Sequence, residues 1–220
     1  MRTLRRSRRA SVALVCAATL LASCHGSSKH ASPTTGAPTT DKQGKVTVSL
    51  ALRLGRVSVQ AVGPVHAYTK PQQQVILGLV NRYVANAITS PLVTGHAAGP
   101  LLASFSPTLA GRVGPKGRDR GALSDVGIPK LTSVTKTVKQ PLNLVVLQQN
   151  GTVLMVGAQF ALTVQGATDD GQLSVARAGN FILEPDAKRH WHITGYTIVV
   201  RRNLGSTTTT TKATTTTAAR

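Results

Sequence analysis

The side chains that could act as general acids or bases are few, and most lie in turns. The chain has seven acidic residues among 220. Asp119 lies between Arg118 and Arg120, which would hold it ionised as a surface pair, and Asp125 is the other acid outside a turn. The rest of the candidate domain's acids stand in turn-forming groups, where carboxylates are normally solvated: Asp169, Asp170, Glu184 and Asp186. The sequence therefore predicts no catalytic residue and favours a protein that is not an enzyme.

Two histidines form the one pattern that resembles a set of metal ligands. His190 and His192 are two residues apart on a predicted strand, so both side chains point away from the face that carries Trp191. The pair could supply two ligands, but no cysteine or suitably placed carboxylate completes a tetrahedral set. The sequence therefore predicts two solvent-facing histidines opposite a buried tryptophan, with no metal site and no cofactor.

The N-terminal residues have the layout of an export signal. Residues 1–10 contain five arginines and no acid, and residues 11–22 are apolar apart from Ser11 and Thr19. This apolar run spans only about 18 Å as a helix, while the hydrocarbon core of a bilayer is roughly 30 Å thick. We therefore expect a signal peptide rather than a transmembrane helix. The export route, Sec or twin-arginine, stays open.

Cys24 is the residue with the most specific chemistry. It follows Leu21, Ala22 and Ser23, and this tetrapeptide resembles the lipobox of bacterial lipoproteins. The resemblance implies that a diacylglyceryl group is transferred to the Cys24 thiol and that residues 1–23 are then removed. One acyl chain alone binds a membrane only marginally, but the two chains of this group together anchor a protein stably without spanning the membrane. The expected location is the outer face of the cytoplasmic membrane; the alternative is an ordinary secretory signal that happens to end in cysteine.

The charge balance predicts an anionic partner. Without residues 1–23 the chain keeps 21 basic and seven acidic residues, a net charge of +14. Such a surplus favours anionic lipid, a wall polymer or an envelope protein. Nucleic acid is not expected, given the location and only seven aromatic residues for stacking. If their strands lie side by side, five arginines would form an anion-binding stripe: Arg53, Arg56, Arg177, Arg201 and Arg202.

The chain divides into a tether, one domain and a tail. Residues 24–45 are rich in Ser, Thr, Pro and Gly, which predicts a flexible linker. Residues 46–204 form one domain without cysteine, long enough to bury a core. Residues 205–220 are rich in threonine, and this composition predicts a disordered tail.

Within the domain, the hydrophobic pattern predicts an α+β fold. Alternating apolar residues around Gly55 predict a β-hairpin or two short strands across 46–59. Helical spacing predicts a long helix from Thr69 to about Ser90–Pro91 and a shorter one over 101–112. Five strands follow, over 131–138, 142–148, 153–164, 172–183 and 190–201, separated by turn-forming groups. We expect a curved antiparallel meander with the long helix packed on its concave face.

This layout resembles the nuclear transport factor two-like, or SnoaL-like, superfamily with its cystatin-like cone. Three segments carry the likeness: Tyr83-Val84-Ala85-Asn86-Ala87 on the first helix, Asn180 to Asp186, and Trp191-His192-Ile193-Thr194-Gly195-Tyr196 in the last strand. The layout is also similar to that of lipoproteins of high-GC Gram-positive bacteria. Enzymes of the superfamily use the cone as a pocket for a small apolar substrate.

The function expected from these features is a lipid-anchored binding or assembly module without catalysis. The alternatives are a carrier of a small apolar ligand in the cone and, third, a SnoaL-like enzyme. An enclosed apolar cavity above about 300 Å³ would favour the carrier. A filled cone with an exposed apolar or basic face would favour the binding module.

Overall fold

One long helix packs against a curved, mostly antiparallel open sheet, giving an α+β fold. The computed structural model describes residues 46–215 and the two short segments 34–36 and 39–40. Cys24, its lipobox, the signal peptide and most of the tether lie outside the described residues. In the described part, eight strands form the main sheet and two form a small separate pair.

The long helix begins and packs as the sequence predicts. Helix α1 (Lys70–Val84) starts at Thr69, whose backbone N–H donates to Gln72 Oε1 at 2.8 Å. Its buried residues recur at helical spacing: Ile76, Leu79, Val80, Tyr83 and Val84. The predicted end near Pro91 is wrong, because a π-helical turn (Ala85–Thr89) leads into α2 (Ser90–Thr94). Gly95, with φ of 80°, ends this helix in the left-handed conformation.

The second helix predicted over 101–112 is instead broken into short pieces. Two 3₁₀ turns (Leu101–Ser104 and Pro107–Leu109) precede α3 (Ala110–Val113), and α4 (Arg120–Leu123) follows a loop. Phe105 lies between the two turns in an extended conformation and is buried. Pro107 lacks the N–H that a continuous helix would need, so the break has a local cause.

The strands after residue 131 are confirmed, with one change in how they connect. The ten strands are β1 (Thr34–Gly36), β2 (Thr39–Thr40), β3 (Val46–Thr47), β4 (Leu54–Val62), β5 (Ser133–Lys139), β6 (Leu142–Gln149), β7 (Thr152–Thr168), β8 (Gly171–Pro185), β9 (Trp191–Leu204) and β10 (Thr207–Thr214). The meander runs β7-β8-β9-β10. However, β5 and β6 do not form a hairpin at Pro141. They lie end to end along β7, with Val138 opposite Thr163 and Asn143 opposite Gln159.

Of the two arrangements predicted for 46–59, the hairpin is not formed; two separate strands, β3 and β4, are present, and Gly55 lies inside β4. β4 runs through Gly55 and pairs in parallel with β6, while β3 pairs with β2. A Cβ at position 55 would lie 2.4 Å from Asn143 Oδ1 and 2.7 Å from the Pro141 side chain. Glycine is therefore required for close approach of two strands, and the turn that its composition suggested is not formed.

The threonine-rich tail is also different from the prediction. β10 pairs antiparallel with β9 over its whole length, with Thr211 opposite Val200, and Ala213 is buried. Thr215 adds a final bond from its N–H to Tyr196 O at 2.8 Å. Threonine is β-branched and favours extended backbone, and an edge strand gains its hydrogen bonds from its neighbour without apolar side chains. The disorder predicted from residue 205 is therefore wrong for 207–214.

Candidate functional site

Aromatic rings fill the space between α1 and the sheet. Tyr83 of the helix meets Phe181 of β8 edge to face, with ring centroids 4.9 Å apart. Phe160 of β7 lies 5.2 Å from Phe181, and Phe105 lies 6.0 Å from Tyr196 of β9. All five rings are at most 3% exposed. The side of the sheet that the helix covers is therefore occupied by packed side chains.

A buried ion pair extends this packed interior. Arg177 of β8 is 1% exposed, and its Nη2 lies 3.0 Å from Asp125 Oδ1. Its Nη1 donates to Ala122 O and, at 3.5 Å, to Tyr83 Oη, which itself donates to Leu123 O at 2.8 Å. Burial raises the pKa of Tyr83 to about 12. Burial alone would lower the pKa of Arg177, but the Asp125 carboxylate and Tyr83 raise it above its usual value.

Arg202 of β9 shares the same carboxylate. Its Nε and Nη2 lie 3.0 and 2.6 Å from Asp125 Oδ1, and Nη2 also donates to Gly121 O and Ser124 O. Two guanidinium groups are thus bound by one carboxylate and by the α4 backbone. Both side chains are therefore engaged by internal contacts and do not lie on an exposed stripe of the kind that the sequence predicts.

The proline in the helix explains how Asp125 is positioned. In a regular α-helix the carbonyl of Ala87 would accept from the N–H of residue 91, but Pro91 has none. The π turn closes with the Ser90 N–H bonded to Ala85 O, and the Asp125 N–H donates to Ala87 O at 2.8 Å. The irregular turn therefore holds the backbone of Asp125 beside the helix, within reach of both arginines.

Asp119 is also part of an internal network. The sequence predicts an ionised surface pair with Arg118 and Arg120, and Arg118 Nε does lie 3.8 Å from Asp119 Oδ1. The Asp119 side chain is only 11% exposed, however. Its Oδ2 accepts from Arg112 Nε at 2.7 Å and from Tyr196 Oη at 2.6 Å. Burial and the Asp119 carboxylate raise the pKa of Tyr196. Since Arg112 Nη2 also donates to Thr214 O at 2.7 Å, this network ties β10 to the rest of the domain.

The histidine pair has a carboxylate neighbour that the sequence does not predict. Asp186 Oδ2 lies 3.5 Å from both His190 Nδ1 and His192 Nε2. The backbone N–H of His190 lowers the pKa of Asp186, and that of Lys188 acts in the same direction. Trp191 is half-buried rather than fully buried. Across residues 46–215, no group of three or more His, Cys, Asp or Glu side chains is placed to hold a metal ion.

The other predicted arginines lie at two separate places. Both arginines are exposed: Arg53 directly precedes β4 and Arg56 lies within it. They lie near the joint between β5 and β6 at Pro141, where Lys139 ends β5. A β-bulge separates Leu54 from Val57, beside Arg56. Partial burial lowers the pKa of Lys139, and the nearby charge of Arg53 lowers it further. Lys139 has no motif around it that would have marked it in the sequence.

Arg201 stands apart, on the face of the sheet away from the helix. It borders a shallow open depression of about 320 Å³ between small side chains of three strands: Ala161, Thr163, Ala176, Ala178 and Val199. A second open depression, of about 370 Å³, lies along the loop after α3, from Ala110 to Gly117. Neither depression is lined by an acid or a histidine. The predicted five-arginine stripe is therefore divided among three locations.

Comparison with known proteins gives no match. No protein-family model, no curated protein and no solved structure matches this chain. Within the part of the chain that the structure describes, none of the helices has the length and apolar character needed to span a membrane.

Proposed function

We propose that this chain is a lipid-anchored, extracytoplasmic binding module without catalysis, which holds an anionic envelope component or a partner protein. The observation that carries the proposal is the filled interior. The rings of Tyr83, Phe160 and Phe181 and the paired guanidinium of Arg177 occupy the side of the sheet beneath the helix. Binding must then use the outer surface, where most of the basic residues lie.

The two alternatives, a carrier of a small apolar ligand and an enzyme, both require a cavity inside the domain. A carrier in a cystatin-like cone needs an apolar cavity, and an enzyme of the SnoaL-like type needs an ionisable group facing one. The helix on a curved sheet is compatible with such a cone. Here Asp119 and Asp125, the two acids nearest the interior, are bound by arginine side chains. These contacts favour the binding module over both alternatives.

The interior is tested with an environment-sensitive apolar dye added to the purified full-length chain. We expect no saturable binding to the native protein. Phe160→Ala serves as the positive control, because removing a buried ring leaves an apolar cavity that small apolar molecules can enter. Saturable, high-affinity binding to the native chain at the level of the Phe160→Ala variant would favour the carrier and overturn the proposal.

A further inference from the structure

We propose that the free edge of β4 binds an extended acidic segment of a partner protein, which joins the sheet as a further strand. This inference rests on the proposed function and names the class of partner: a segment in which acidic and apolar residues alternate. Folded domains commonly recognise peptides at an open sheet edge, because backbone hydrogen bonds supply affinity and alternate side chains supply specificity.

β4 forms one edge of the main sheet. It pairs with β6 on one side, and among the described strands none pairs with it on the other. From Val57 to Val62 the ladder with β6 is regular, and this stretch is as long as a typical strand. It contains no charged residue, whereas β10 at the opposite edge carries Lys212, a residue type that discourages strand addition. β4 is therefore the edge that is open to a further strand.

The backbone of this stretch presents unpaired groups on its free side. The Asn150 N–H donates to Val62 O at 2.9 Å, so the backbone of Val62 faces β6. In a parallel ladder alternate residues direct their backbone groups to the same neighbour. The N–H and C=O groups of the odd-numbered residues therefore point away from β6: Val57, Val59 and Ala61. No hydrogen bond joins these groups to another part of the described chain.

The side chains of β4 define the pattern that an added strand should carry. Val57 and Val59 are half-buried and pack against the core, while Gln60 is exposed. Successive side chains of a strand point to opposite faces of the sheet. Apolar residues of the added strand would therefore extend the core beside the two valines, and the residues between them would lie in water.

The charge around the edge favours acids at those water-facing positions. Residues 46–118 contain no acid, and β6 contains no charged residue. Arg56 is exposed just before the regular stretch, and no described acid forms an ion pair with it. Opposite charges on neighbouring strands attract and like charges repel. An acidic segment is therefore favoured over a second copy of this basic chain.

The test measures backbone amide hydrogen exchange in the purified full-length chain by NMR. The probe is a synthetic peptide of about eight residues that alternates glutamate with valine or threonine. In the free protein the amides of Val59 and Ala61 should exchange fast, and that of Gln60, which faces β6, should exchange slowly. Saturating peptide should slow exchange at Val59 and Ala61 by about tenfold or more and leave Gln60 unchanged. A peptide with lysine in place of glutamate is the charge control and should give no protection.

A proline at position 59 tests the edge directly, because it removes an outward N–H and no bond to β6. Val59→Pro should weaken peptide binding, measured by fluorescence anisotropy, by about tenfold or more. The matched control is Val59→Ile, which keeps the N–H and a branched apolar side chain and should bind like the parent chain. The exchange measurement uses the unsubstituted chain, so it decides the question even if Val59→Pro fails to fold.

Three results would overturn the proposal. The first is an absence of protection at Val59 and Ala61 with saturating acidic peptide, and the second is equal binding by folded Val59→Pro and the parent chain. The third is a peptide-free dimer, seen by analytical ultracentrifugation, that Val59→Pro dissociates, since the edge would then pair with a second copy. None of these results concerns the filled interior, which the dye experiment tests separately as the basis of the proposed function.

Discussion

Arg177 is a charged side chain in the middle of the domain, and its stability there depends on Asp125. The guanidinium is fully buried, and among the described residues Asp125 is the one carboxylate that forms an ion pair with it. Arg202 bonds the same oxygen from the neighbouring strand, so one acid matches two bases. Such a network is sensitive to loss of the acid, because a buried charge without a partner is costly.

We predict that Asp125→Ala destabilises the domain by about 3–5 kcal/mol, since Arg177 stays buried without its carboxylate. The free energy of unfolding is measured by urea denaturation. Asp170→Ala, at an exposed turn, serves as the control and should change stability by less than about 0.5 kcal/mol. Equal stability of Asp125→Ala and the parent chain would show that the network contributes nothing to the fold.

The alternation of apolar residues in β8 indicates that position 177 is buried, although a charged residue such as arginine is not expected there. Arg177 lies two residues from Val175 and four from Phe181, and both of those point into the core. The period-two alternation of β8 therefore places Arg177 on the buried face. Asp125 had no such local signal, because it lies in a loop and reaches Arg177 only after 52 residues of chain have folded back.

At the scale of elements, periodicity predicts most of the strands and the start of the long helix. These depend on local alternation and on a capping residue, which are visible in a short window of sequence. The elements that differ depend on distant partners. β10 forms because its backbone hydrogen-bonds to the edge of β9. The helix continues past Pro91 because the Asp125 N–H donates to the Ala87 carbonyl, which has no donor from the proline. The parallel pairing of β4 with β6 likewise involves residues far apart in sequence.

β10 gives a prediction at this scale. Ending the chain after Gly205 removes its eight residues, the bond from Arg112 to Thr214 and the burial of Ala213. With each hydrogen bond contributing about 0.5–1.5 kcal/mol, we expect a loss of at least about 2 kcal/mol in unfolding free energy. Urea denaturation measures it, and a chain ending after Thr215 is the control. If both truncated chains were as stable as the parent, β10 would not belong to the folded domain.

At the scale of the whole molecule, the proposed anchor and the basic surface act together. A surplus of cations on a protein held near anionic lipid or polymer raises the local concentration of those partners around it. This attraction weakens over about 8–10 Å at physiological salt. If the chain is anchored as proposed, the anchor keeps its basic surface within this distance of anionic partners.

We predict that Cys24→Ser in cells releases the protein from the membrane or leaves the signal peptide attached, because no thiol remains to accept the lipid. Cell fractionation and mass spectrometry of the N-terminus measure the outcome. Cys16→Ser, within the signal, is the control and should leave the protein lipidated and membrane-bound. A Cys24→Ser protein that stays in the membrane with residues 1–23 removed would contradict the lipoprotein assignment.

The topology of the sheet also sets when folding can finish. Arg56 and Asn143, which meet across β4 and β6, are 87 residues apart, and the last strand to join the sheet ends at Thr214. Folds dominated by such distant pairings form slowly, because long loops must close before the contacts stabilise them. The sheet cannot be completed until residues 207–214 are free to pair with β9. The order of its strands thus makes completion of the sheet a late step in folding.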